Sequence, residues 1–100
     1  MENLERIAQM ENRLNQVRAS FDQLDESLKT LRASLSAFQA LGDYYGSADY
    51  HDDVTAMQEG RLPDDLPCGV LTEDLVYDLF VDQKRLLSDL LNVASQLAAL

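Results

Sequence analysis

Glycine and proline are scarce in this chain, four and two residues in 100, tryptophan is absent, and cysteine and histidine occur once each. Each shortage excludes something. A lone cysteine, Cys68, forbids an internal disulfide and removes the usual framework of a small secreted domain. No stretch approaches the roughly 18 to 20 unbroken apolar residues of a membrane-spanning helix. The first residues, MENLERIAQMENR, are charged throughout and lack the basic start and apolar run of a secretory leader. These absences predict a cytoplasmic protein with no membrane role. His51 and Cys68 stand far apart in sequence, and no Gly-x-Ser-x-Gly elbow, phosphate-cradling glycine loop or clustered zinc spacing is present. The sequence therefore predicts no catalytic residue, no cofactor, no metal ligand and no enzyme.

Basic residues are also few, eight Lys and Arg against eighteen Asp and Glu, for a net charge of −10. The deficit is local. Residues 1–42 hold six acids and five bases, and residues 83–100 hold one acid and two bases. Residues 43–82 hold eleven acids against Arg61 alone. Such a segment repels nucleic-acid phosphates and anionic lipid, so neither is an expected partner.

What the chain has in quantity is apolar residues in a strict order. With Ile7 as position a of a heptad, the a series is Ile7, Leu14, Phe21, Leu28 and Leu35. The d series is Met10, Val17, Leu24, Leu31 and Phe38. All ten are apolar. A seam holds one direction along a helix only at a repeat near 3.5 residues, so the pattern predicts a long helix with a coiled-coil-like stripe. The expected span is about residues 3–45, ended by Gly42 or Gly46 as a left-handed cap.

Beyond it, Ser47 is the expected N-cap of a short helix at 48–58 with Gly60 as its stop. Residues 59–72 contain both prolines and read as an ordered connector whose Leu62, Leu66, Val70 and Leu71 tuck against the helices. Thr72, followed by Glu73 and Asp74, is the expected start of a last helix at 73–98. That helix is apolar over a wide arc, which implies more than one neighbour. The fold class is therefore all-α: one domain over 1–100, with the long heptad helix packed antiparallel against the C-terminal helix. A last helix some 20 Å shorter than the first leaves the tip around Ile7, Met10 and Leu14 without an intramolecular partner, which makes these three the candidate self-association residues.

A second candidate lies in the acidic segment. Tyr44, Tyr45 and Tyr50 are interleaved with Asp49, Asp52 and Asp53, a composition suited to gripping a partner rich in Arg or Lys. The same residues have an ordinary account, with Tyr45 completing the seam, Tyr50 packing inward and the acids solvated. Asp49, Asp52, Asp53 and Glu59 also suggest a calcium loop, but His51 interrupts the ligand pattern and the central glycine is missing.

The middle of the chain resembles a known family. Tyr44-Tyr45-Gly46-Ser47, Tyr50, Asp53, Gly60, Leu62-Pro63-Asp64-Asp65-Leu66 and Gly69-Val70-Leu71-Thr72-Glu73-Asp74 followed by Tyr77-Asp78-Leu79 are similar to small bacterial proteins grouped as domain of unknown function 4298. Tyr50 stands where that family often has tryptophan, and Thr72 where it has serine. The resemblance implies a bacterial, mostly helical protein and supplies no activity and no site residues. Four functions remain open: a non-catalytic protein-interaction or adaptor module with an acidic surface, a purely structural bundle that self-associates as a homodimer through the first helix, an acidic neutraliser of a basic toxin or nuclease, and a carboxylate-based divalent-metal protein.

Overall fold

The computed structural model describes residues 1–100, the side chain of Glu73 excepted. It is all-helical, as expected. Helix α1 spans Glu2–Tyr45, α2 spans Ala48–Gln58, a 3₁₀ turn covers Gly69–Leu71, and α3 spans Glu73–Ala98. The chain divides into two units, Met1–Gly46 and Ser47–Leu100. The antiparallel packing expected of α1 and α3 is a relation between these units and stays an expectation.

The first unit is α1 itself, 44 residues or roughly 66 Å of helix. Its persistence follows from composition: no proline or glycine before Gly42, and Leu, Ala, Gln, Glu and Arg at most positions. Local side-chain pairs decorate it. Lys29 Nζ lies 3.3 Å from Asp25 and 3.4 Å from Glu26, and the Gln39 amide donates to Asp43 at 3.0 Å. Such exposed pairs contribute only a few tenths of a kcal/mol each. The helix ends at Gly46, whose φ of −92° is not left-handed, contrary to the expected cap. Gly42 is helical and does not end it.

The second unit is built around the 3₁₀ turn, which packs against both α2 and α3. Its core is Tyr50 and Ala56 of α2, Leu71 of the turn and Val76 of α3. Val54, Met57, Leu62, Cys68 and Phe80 are half-buried around it. The ends of α2 are closed by local chemistry. Ser47 Oγ accepts from the Tyr50 amide at 3.2 Å, satisfying one of the unpaired donors of the first turn. At the other end, Arg61 N donates to Ala56 O at 2.9 Å and Gly60 N to Met57 O at 3.1 Å, with Gly60 at φ 70°. This pair of bonds around a left-handed residue is a Schellman cap, so the conformation a glycine permits is used at Gly60.

The connector is ordered by short-range bonds. Leu66 N donates to Pro63 O, Leu71 N to Cys68 O and Thr72 N to Gly69 O. Of the apolar residues expected to tuck inward, Leu71 is buried and Leu62 half-buried, whereas Leu66 and Val70 stay exposed. Thr72 does precede α3, but its hydroxyl donates backward to Gly69 O at 2.7 Å instead of accepting from the helix. It therefore fastens the 3₁₀ turn to the helix start. The side chain of Glu73, expected to act there with Asp74, lies outside the described residues. A Cβ at Gly69 would meet Leu75 Cδ1 at 3.2 Å, a crowding that the end of that side chain can relieve.

Two glycine substitutions separate these roles. Gly60→Ala is expected to lower the stability of the second unit by about 1 kcal/mol, because a side chain is strained at positive φ. Gly69→Ala is expected to change it by less than about 0.5 kcal/mol, since the crowding atom is the tip of the exposed Leu75 and can swing away. Urea unfolding followed by circular dichroism reads both.

Candidate interaction surfaces

Along α1 the seam is exposed from Ile7 to Leu35. Ile7, Met10 and Leu14 are 58%, 50% and 49% exposed, and Phe21 and Leu35, much farther along, are 54% and 55% exposed. Leu24, Leu28 and Leu31 are also exposed, Phe38 is half-buried, and no residue of α1 is buried. The tip singled out by the length argument is thus no different from the rest. A seam of this kind can take an apolar helix over its full length. A shallow depression between Glu26, Ser27, Thr30, Leu31 and Ser34 is formed by this one helix and is open to solvent.

On α3, the residues after Phe80 are all exposed, including Leu86, Leu87, Leu90, Leu91, Val93 and Leu97. The breadth of this apolar arc, read in the sequence as a sign of several neighbours, is present as uncovered surface. Arg85 sits between Asp82 and Asp89 at 3.6 and 3.7 Å on the polar side.

The six residues of the acidic-tyrosine candidate divide between the two units. Tyr44 and Tyr45 lie in the last turn of α1, half-buried and each engaged in an interaction. Asp49, Tyr50, Asp52 and Asp53 lie on α2. Tyr50 is 7% exposed and belongs to the core, its ring edge-on to His51 at 5.7 Å between centroids. Asp53 is half-buried and also engaged. Asp49 and Asp52, one turn apart, are the exposed acids of the set. The part of the candidate open to a partner on α2 is therefore this pair with exposed His51 beside it.

The residues with most chemical potential are placed quietly. The Cys68 thiol donates to Leu66 O at 3.3 Å, and Thr55 Oγ donates to the carbonyl of His51. Among the described residues, no three His, Cys, Asp or Glu side chains gather to share an ion. No helix of the described residues is long and apolar enough to cross a membrane.

The geometry defines an all-helical protein with a compact three-element unit and a long helix bearing an uncovered heptad seam. The chain belongs to the family described as domain of unknown function (DUF4298), whose model matches residues 7–93. The match takes in the seam, the Schellman cap at Gly60 and the 3₁₀ turn. No curated protein and no solved structure matches the chain.

Core and surface roles on α2 are separable by substitution. Tyr50→Ala is expected to destabilise the second unit by about 3 kcal/mol, through lost packing in a small core. Asp49→Asn with Asp52→Asn is expected to change stability by less than about 0.5 kcal/mol. Thermal unfolding of the full chain measures both.

Proposed function

We propose that this chain is a non-catalytic protein-interaction module of the bacterial cytoplasm, docking partners through α1 and presenting an acidic surface over residues 43–82. The α1 seam, exposed at nine of its ten positions, carries this reading. A helix in water draws most of its stability from burying an apolar face, and α1 buries none of its residues. Nine large apolar side chains at half exposure, on one line, form a larger contiguous patch than a solitary soluble helix ordinarily presents. Docking of a second helix removes that surface from water and holds α1 straight.

The acidic segment supplies a second, electrostatic element. Eleven acids against one base over residues 43–82 speed the approach of a basic partner, and Asp49 and Asp52 are its accessible members on α2. The seam also supports the reading of a self-associating bundle, in which the partner is another copy.

Capture from a bacterial lysate on the immobilised chain tests the two elements separately. A partner held by charge is expected to be lost several-fold on Asp49→Asn with Asp52→Asn, and to elute as salt shortens the screening length below about 10 Å. A partner held by the seam is expected to survive that change and to be lost on Leu14→Asp. Capture indifferent to all three substitutions would remove both surfaces from the function.

A further inference from the structure

The edge of the α1 seam carries a pattern that the helix does not use on its own. The e positions beside the seam are Glu11, Arg18, Asp25, Arg32 and Gln39, and the four charged ones alternate in sign. Seven residues separate neighbours by about 10.5 Å along the helix, beyond the reach of an ion pair. Among the described residues, Glu11, Arg18 and Arg32 make no ion pair, and Asp25 meets only Lys29, across an exposed 3.3 Å contact. The g positions on the opposite edge are small from Ser20 through Ser27 to Ser34.

We propose that the seam of α1 is covered by α1 of a second copy of this chain, antiparallel, in a single register whose two-fold axis passes between Asp22 and Gln23. This rests on the reading of α1 as a docking face and names its occupant. In an antiparallel coiled coil, a residues layer against d residues, e positions face e positions across one edge and g positions face g positions across the other. With the axis between Asp22 and Gln23, Phe21 layers on Leu24, Leu14 on Leu31 and Ile7 on Phe38, each second residue from the other copy. Val17 on Leu28 and Met10 on Leu35 complete the stack. Every a and d position of the five heptads is used.

That same register sets Glu11 against Arg32 of the second copy and Arg18 against its Asp25. By symmetry each pair occurs twice, and every charged e position meets the opposite charge, while the uncharged Gln39 meets Leu4. Across the other edge Ser20 faces Ser27 and Arg13 faces Ser34, with no like charges. The alternatives fare worse. A slide of one heptad one way sets Glu11 against Asp25 and Arg18 against itself. A slide the other way sets Arg18 against Arg32 and Asp25 against itself. In a parallel pair, where g faces the e position five residues on, Arg6 meets Glu11 but Arg13 meets Arg18. Full apolar overlap and full charge complementarity thus coincide in one arrangement.

Sedimentation equilibrium of the full chain is expected to show a dimer at tens of micromolar. Glu11→Arg and Arg32→Glu, each turning two attractive pairs repulsive, are expected to raise the dimer dissociation constant roughly tenfold or more, and the two together to restore it within about threefold. Both positions are solvent-facing in the single helix, so circular dichroism should show helix content retained. In a Cys68→Ser background, a short bismaleimide is expected to join a Glu11→Cys chain to an Arg32→Cys chain. Neither should join to itself, because its own cysteines lie about 30 Å apart in this register. Self-linking of the Glu11→Cys chain, or failure of the double reversal to restore the dimer, overturns the antiparallel register. A monomer at 100 micromolar whose seam still captures another protein in a Leu14-dependent way overturns the second copy and leaves the docking face standing. A monomer with no Leu14-dependent capture overturns both.

Discussion

Removing hydrocarbon from water is the main favourable term in folding, and in this chain it acts very unevenly. The second unit meets the requirement on a small scale. Tyr50, Ala56, Leu71 and Val76 are brought together because a 3₁₀ turn, too short to have a face of its own, packs against two helices at once. The Schellman cap at Gly60, the Pro63–Leu66 turn and the Thr72 hydroxyl on Gly69 direct the chain into that turn. α1 leaves the requirement unmet, with its seam in water from Ile7 to Leu35. The proposed function follows from that unmet requirement.

Much of the fold was legible in sequence because its determinants are local. An unbroken heptad pattern, a serine before a helix, a glycine after one and a proline-bearing turn each act within a few residues. They describe α1, the Ser47 cap, the Gly60 stop and the ordered connector well. Less legible was the geometry that depends on neighbours in space. Gly46 ends a helix without adopting the left-handed form, and the Thr72 hydroxyl faces backward, because the 3₁₀ turn before it offers a nearer acceptor in Gly69.

The candidate site was legible in part. Periodicity identified the seam but could not say how much of it is covered, and the length argument favoured the Ile7–Leu14 tip where exposure is in fact general. In the acidic segment, composition grouped six residues that the fold sorts differently. Tyr50 is core, Asp53 is partly committed, and Asp49 and Asp52 remain outward. Composition reports neighbours along the chain, whereas a docking surface is made by what the helix turns outward.

The alternating e-position charges bear on how such a helix can change over evolutionary time. Loss or gain of three or five residues would rotate the remainder of the stripe off its line, so indels within α1 are tolerated by shape only in whole heptads. A single heptad keeps the line but leaves an odd number of alternating charges, which then meet their own sign in an antiparallel pair. Two heptads restore both.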